Sequence, residues 1–291
     1  MKNFKGTYTA LITPFRIDGS IDFEILTNLI EMQIVGGVDG LVPVGTTGES
    51  PTLRTEEHIK VIEHVVRVSD GRCQIIAGTG ANSTAEAVEL TLAAKSFGVD
   101  GTLQVTPYYN KPNNHGLISH FSKVADIGLP VVLYNVPGRT SCEISIPIVA
   151  ELSKHPNIVS IKEASGSIDR VQLIKEVCEL SILSGDDILA VPMIESGACG
   201  VISVASNIIP SEICSMISAA LDQNIELSYR IHDKYSSLFE HLFIDTNPIP
   251  VKAASALLGY IKEIYRLPLC SMTKEKRDIL CETLNKTGVL S

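Results

Sequence analysis

No stretch of about 18 consecutive apolar residues occurs in this 291-residue chain, so the sequence offers no membrane-spanning helix. A basic start followed by an apolar core, the mark of a secretory leader, is also missing. The seven cysteines, at positions 73, 142, 178, 199, 214, 270 and 281, are odd in number and contain no CxxC pair. They read as buried free thiols in a reducing cytoplasm, not as a disulfide or metal framework. The seven histidines show no HxH or HExxH spacing, which disfavours a metal-dependent aldolase. Positive charge is in short supply: Lys and Arg total 24 against 33 Asp and Glu, for a net charge of −9. Neither nucleic acid nor an anionic membrane would attract such a surface. What the chain does have is 45% hydrophobic residues, enough for a sizeable core. Its length allows one large α/β domain or two small ones.

Short runs rich in Val, Ile and Leu alternate with helical patterns as far as about residue 222. They cover residues 7–13, 40–45, 74–78, 101–106, 130–135, 158–162, 181–185 and 200–204. Nearly continuous apolar runs of this kind are expected of parallel strands covered by helices. In the helical segment 55–68, Ile59, Ile62 and Val66 make one apolar stripe. Glu56 and Glu57 suit the positive first turn. Ser83-Thr84-Ala85-Glu86 has the capping-box pattern. Eight strand–helix units predict an α/β fold, a closed (β/α)8 TIM barrel over residues 1–222. An open doubly wound sheet is the alternative, but no GxGxxG follows the first strand. Beyond residue 222 the rhythm changes, and 224–243, 249–258 and 274–284 read as three helices without strands between them. Pro248, Pro250 and Pro268 punctuate them. Residues 223–291 are therefore expected to form a C-terminal helical region packed on the barrel.

The chemistry of such a barrel sits at the C-terminal ends of its strands. Unusual polar residues fall at those ends. Gly45-Thr46-Thr47-Gly48-Glu49-Ser50 follows the second strand and Thr106-Pro107-Tyr108-Tyr109-Asn110 the fourth. Tyr134-Asn135-Val136-Pro137-Gly138-Arg139 closes the fifth and Lys162-Glu163-Ala164-Ser165-Gly166 the sixth. Alternation in Val159-Ser160-Ile161-Lys162 sends Val159 and Ile161 toward the helices and Ser160 and Lys162 into the barrel. Burying an unpaired ammonium is costly, and burial favours a neutral amine able to attack a ketone and form an imine. The ordinary alternative is a lysine paired with an acid or snorkelling from the rim. Tyr134, two residues after Val132 on the adjacent strand, should face inward beside Lys162. It is either a core residue with a satisfied hydroxyl or an acid/base for imine chemistry. The Gly45-Thr46-Thr47-Gly48-Glu49 loop joins hydroxyls to backbone N–H groups that glycines leave accessible. That suits a small carboxylate, and a plain strand-to-helix turn is the alternative. Asp186 and Asp187 make a poor metal signature and read as a strand-end turn and helix start.

These segments carry a family resemblance. With them go Ala77-Gly78-Thr79-Gly80-Ala81-Asn82, Leu183-Ser184-Gly185-Asp186-Asp187, Gly200-Val201-Ile202-Ser203-Val204 and Asn247-Pro248-Ile249-Pro250-Val251-Lys252. Over essentially its whole length the chain resembles the 4-hydroxy-tetrahydrodipicolinate synthase (dihydrodipicolinate synthase) family. The resemblance implies condensation of pyruvate with L-aspartate 4-semialdehyde in lysine and diaminopimelate biosynthesis, without metal or organic cofactor. It implies that Lys162 forms the pyruvyl imine. Tyr134, Thr46 and Tyr109 would make a proton relay, with Tyr109 lent to the neighbouring subunit. Thr47 would contact the pyruvate carboxylate, the backbone of Ile202 would lie against the same ligand, and Arg139 would bind the semialdehyde carboxylate at the mouth. The implied assembly is a cytoplasmic homotetramer of two tight dimers.

Some members of the family are inhibited by lysine at a dimer-interface cleft. The matching positions are Ser50, Pro51, Thr55, His58, Asn82, Glu86 and Tyr108. Thr55 stands where a second histidine is common. Local roles compete: Thr55 as helix N-cap, Glu86 as capping-box partner and His58 as an exposed first-turn residue. Another pyruvate-dependent lyase, resembling N-acetylneuraminate lyase or a 2-keto-3-deoxy-sugar-acid aldolase, is the main alternative function. A catalytically silent small-molecule sensor is a second. Arg139 and the Tyr108-Tyr109 pair favour the synthase, and the joint presence of Lys162, Tyr134, Thr46, Tyr109 and Arg139 argues against the sensor.

Overall fold

The computed structural model describes residues 4–290. Its strands are β1 (Gly6–Ala10), β2 (Gly40–Val42), β3 (Gln74–Gly78), β4 (Gly101–Val105), β5 (Val131–Asn135), β6 (Ile158–Glu163), β7 (Ser181–Ser184) and β8 (Gly200–Ser203). They pair in parallel and in chain order, and β8 returns to β1 to close the barrel. The doubly wound alternative is thereby excluded.

Alternation sorts the side chains into two cores. Tyr8, Ile76, Leu103, Val132, Leu183 and Ile202 fill the barrel interior, while Leu41, Ile75, Leu133, Ile161, Ile182 and Val201 meet the helices. Each such fully buried aliphatic contributes about 1.5–3 kcal/mol by leaving water.

Strands β1 and β2 end three residues earlier than the apolar runs predict, and β4, β7 and β8 one residue earlier. Past Ala10 the chain leaves the sheet: the Ile12 amide donates to the Asn207 side chain at 3.1 Å instead of to a strand. After Val42 comes Pro43, which has no amide to donate, and then Val44 in the left-handed region at φ 51°. Strand β6 corrects the alternation at its start. A register shift lets Ile158 pair with Val131 but Ser160 with Val132, and the skipped Val159 packs against the interior cluster instead of the helices. From Ser160 onward the expected alternation holds, and Lys162 pairs with Tyr134.

The helix Thr55–Ser69 buries Val61, Ile62 and Val65, with Ile59 and Val66 only half-buried. Packing between the helices Phe23–Val35 and Thr84–Ser96 turns its buried face away from the predicted stripe. Its N-cap is Arg54, not Thr55, and the Arg54 amide donates to Glu57 at 3.0 Å. Ser83 does cap the next helix by position, but its side chain makes no capping bond. His58 is buried, not exposed, with Nε2 at 2.7 Å from the Gly78 carbonyl. The cysteines carry free thiols, but six are half-buried and Cys270 is exposed, so none is sequestered as expected.

After the last barrel helix, Pro210–Leu221, come the helices Ile225–His241, Ile249–Leu257 and Lys274–Lys286. The first packs on Pro210–Leu221, and the other two pack on each other. Arg266, between them, crosses back to the barrel: its guanidinium reaches the Glu57 carboxylate at 2.6 and 2.7 Å and the Gly19 carbonyl at 2.8 Å. No helix among the described residues is long and apolar enough to cross a membrane.

Candidate active site

Lys162, next to last in β6, lines the cavity at the C-terminal mouth of the barrel, and Tyr134 pairs with it on β5. Both are buried, and the lysine Nζ lies 4.4 Å from the centre of the tyrosine ring. No carboxylate among the described residues forms an ion pair with Lys162. The competing reading of a lysine locked to an acid therefore fails, and the stem is dry while the amine faces a cavity. Gly185 is needed beside it. A Cβ there would fall 3.0 Å from Lys162 Cε and 2.5 Å from the Ala164 Cβ.

On the outer face of the same two strands lies a buried polar brace. Asn135, next to Tyr134, donates from Nδ2 to both oxygens of Glu163, next to Lys162, at 3.0 and 3.1 Å. The Glu163 carboxylate also accepts from the Ser165 amide at 2.9 Å and from Arg170 Nε at 2.9 Å. Arg170 completes its fork on the Ile144 carbonyl at 2.8 Å and on Glu143. Every hydrogen bond in this cluster pins the rim ends of β5 and β6, and through them the residues carrying the amine and the phenol.

The loop after β2 is held from the other side. Its backbone is unusual at both ends, with Val44 at φ 51° and Glu49 at φ 57°. Such conformations cost a non-glycine residue about 1–3 kcal/mol and persist only where neighbours enforce them. Here Gly78 lets the Val44 carbonyl come so close that a Cβ would sit 2.6 Å from it. At the far end Glu49 is paired with Lys252 of the helix Ile249–Leu257, both side chains being fully buried. Asn247 donates from Nδ2 to Thr47 Oγ1 at 2.9 Å, while its carbonyl accepts from Arg139 at 3.3 Å. The C-terminal region thus ties the Thr46-Thr47 loop to the Arg139 turn.

These parts enclose a cavity of about 60 Å³ on whose wall lie Thr46, Thr47, Tyr134, Arg139 and Lys162. Five of the predicted site residues are thereby brought together. The Thr46 and Tyr134 hydroxyls share the wall without hydrogen bonding to each other. Ile202 is buried in the barrel interior and does not line this cavity. Tyr109 does not line it either: it is 91% exposed, with its backbone at φ 72°.

Three wall residues escaped the sequence reading. Asn247 was visible only as part of a motif, and Phe243 only as the end of a helix. Asp186 was read as a turn, although its position just beyond β7 could have placed it at the mouth. Its neighbour Asp187 does serve the turn, accepting from the Val204 and Ala205 amides at 3.0 and 2.9 Å. Burial raises the pKa of both carboxyls, opposed at Asp186 by Lys162 and Arg139.

A second cleft, of about 300 Å³, is lined by Ser50, Pro51, Thr55, His58, Glu86 and Tyr108. Asn82 borders it, donating to the Tyr108 carbonyl at 3.3 Å. Burial lowers the His58 pKa, and the bond to the Gly78 carbonyl opposes that.

A closed (β/α)8 barrel with a buried lysine whose amine faces a cleft at the C-terminal mouth is the architecture of the barrel lyases. The chain is a member of the dihydrodipicolinate synthetase family, whose model matches residues 3–287. It is 45% identical to the 4-hydroxy-tetrahydrodipicolinate synthase of Pelobacter propionicus, over 99% of this chain and 100% of that one. The crystal structure of dihydrodipicolinate synthase from Aquifex aeolicus superposes with a TM-score of 0.97 at 47% identity, covering 98% of this chain and 99% of that one. A structure of the enzyme from Cyanidioschyzon merolae with lysine bound superposes with a TM-score of 0.96 at 41% identity, covering 99% and 100%.

Proposed function

We propose that this chain condenses pyruvate with L-aspartate 4-semialdehyde to give 4-hydroxy-tetrahydrodipicolinate, through an imine on Lys162, in lysine and diaminopimelate biosynthesis. One observation carries the chemistry: the Lys162 amine faces the cavity without a carboxylate partner, over the Tyr134 ring at 4.4 Å. The neutral amine attacks the keto carbon of pyruvate and water leaves, forming the imine. The imine nitrogen then accepts the electron pair released when the methyl group loses a proton. The resulting enamine attacks the aldehyde carbon and forms the new C–C bond. Attack of the substrate's own amine on the imine carbon closes the ring and returns Lys162 free.

Tyr134, whose ring centre lies 4.4 Å from the Lys162 amine, would carry the proton transfers at the imine, and Thr46 shares its wall. Tyr109, exposed here, would complete the relay in the cavity of a second copy, which fits a dimer within a homotetramer. Thr47 suits the pyruvate carboxylate, with the Ile202 backbone beneath the same ligand. Arg139, at the exposed mouth, suits the semialdehyde carboxylate. Lysine binding in the second cleft is proposed on the same footing, since Glu86 supplies an acid for an ammonium there. Millimolar lysine leaving the rate unchanged would reject it. A cytoplasmic location accords with the free thiols.

Incubation with pyruvate plus L-aspartate 4-semialdehyde tests the assignment. The cyclic product is expected. Cleavage of N-acetylneuraminate without reaction of the semialdehyde would point to the other lyases.

A further inference from the structure

We infer that Asn82 and Asn110 are positioning residues for Tyr109, clasping a strained turn so that its phenol is presented to the cavity of a second copy. The inference rests on the function proposed above and deepens it, by naming what aims the relay group that one chain lends to another.

The loop after β4 is unusual at its tip. Tyr109 has φ 72°, and the Asn110 amide donates to the Tyr108 carbonyl at 2.9 Å, two residues back. That is a γ-turn with its central residue at positive φ, the rare and strained form. Lys111 follows at φ 43°, so two residues with side chains stand in the left-handed region within three positions. An exposed tip would relax from such a backbone unless its neighbours held it.

The neighbours that hold it are two asparagines. Asn110 Nδ2 donates to the Asn82 carbonyl at 2.8 Å, and Asn82 Nδ2 donates to the Tyr108 carbonyl at 3.3 Å. These bonds run in opposite senses between the loop after β3 and the tip, gripping it on either side of Tyr109. The base of the same loop is fixed too. Thr106 donates from its amide and its hydroxyl to the Tyr134 carbonyl, at 3.1 and 3.0 Å. The Tyr109 ring itself is exposed, and its hydroxyl bonds to no described residue. The chain thus fastens a costly turn around a phenol that its own residues do not use. A proton can pass only across hydrogen-bond distance, so a small rotation of this turn would carry the phenol out of reach. The clasp acts in trans: it belongs to the chain that lends Tyr109, and the imine it serves forms in the other copy.

Asn110→Ala removes one arm of the clasp at a residue that is not on the cavity wall. Its kcat should fall roughly 10- to 100-fold, the cost of a small misplacement of a reacting group. The half-saturating pyruvate concentration for borohydride capture should stay unchanged, and adding Asn110→Ala to Tyr109→Phe should lower kcat no further. Asn82→Ala, which removes the other arm, should behave alike. The decisive readout is a mixed dimer of Asn110→Ala and Lys162→Ala chains, co-expressed with two affinity tags. In it the chain with an intact lysine receives Tyr109 from the chain with an intact clasp, so the mixture should be several-fold more active than either parent. Wild-type kcat in both asparagine variants would overturn the assignment while leaving the function intact. So would further loss in the Tyr109→Phe background, or a mixed dimer no more active than the mean of its parents. A wild-type chain that does not consume L-aspartate 4-semialdehyde with pyruvate would overturn the function, and this assignment with it.

Discussion

Lys252 and Glu49 form an ion pair from which solvent is wholly excluded, joining a C-terminal helix to the loop that carries Thr46 and Thr47. The Lys252 amine lies 4.3 Å from the Phe15 ring centre and 5.2 Å from that of Tyr265. Burial lowers its pKa, and the Glu49 carboxylate opposes the shift. The helices after the barrel are therefore structural partners of the site and not mere additions to its surface.

Removing one member of such a pair leaves the other charge buried and costs about 3–5 kcal/mol. Lys252→Met should lower the melting temperature sharply, and adding Glu49→Gln should restore part of the loss. Pyruvate KM should rise in the single variant because the Thr47 loop loosens. A melting temperature equal to wild type would show that the pair contributes nothing.

The brace behind β5 and β6 makes a separate prediction. In Arg170→Ala the Glu163 carboxylate loses its one cationic partner among the described residues. Turnover should fall by about 10- to 100-fold in protein that remains folded, since small displacements of reacting groups are that costly. Circular dichroism and steady-state kinetics together check this. A stable variant with unchanged kcat would mean that the brace does not position the Lys162–Tyr134 pair.

Gly185→Ala should impair the amine directly. The added Cβ meets the Ala164 Cβ at 2.5 Å, which cannot swing aside, and Lys162 Cε at 3.0 Å. The lysine stem or β7 must move, so pyruvate capture should slow while the barrel still forms. Borohydride trapping at wild-type rate would contradict the packing.

Acid stability should depend on Glu57. The Arg266 guanidinium holds its carboxyl down at about 2, against an ordinary 4.5. Because the folded value is the lower one, the unfolded chain binds more protons between them. The stabilisation is present above about pH 4.5 and fades as the pH falls toward 2. Glu57→Gln should flatten the loss of stability across that window in denaturant titrations. An unchanged slope would remove Glu57 from the acid response.

The eight strands were legible because alternation and turn residues repeat along the chain, and Lys162 and Tyr134 because both stand at strand ends with an inward register. Local pattern could not reveal the shift at Val159, which comes from pairing with β5. Neither could it reveal the Arg54 cap or the burial of His58, which depend on how the helix Thr55–Ser69 lies against β3. Lys252, Asn247 and Arg266 meet the β2 loop across some 200 residues of chain, beyond the reach of any periodicity. Asp186 and Asp187 do stand in the expected strand-end turn, but the pattern could not tell that one lines the cavity while the other serves the backbone.

The most direct test of the account is reduction with borohydride in the presence of pyruvate, followed by peptide mass spectrometry. The reduced pyruvate adduct should appear on Lys162 alone, and Lys162→Ala should abolish it. An adduct on another lysine, or none at all in folded wild-type protein, would contradict it.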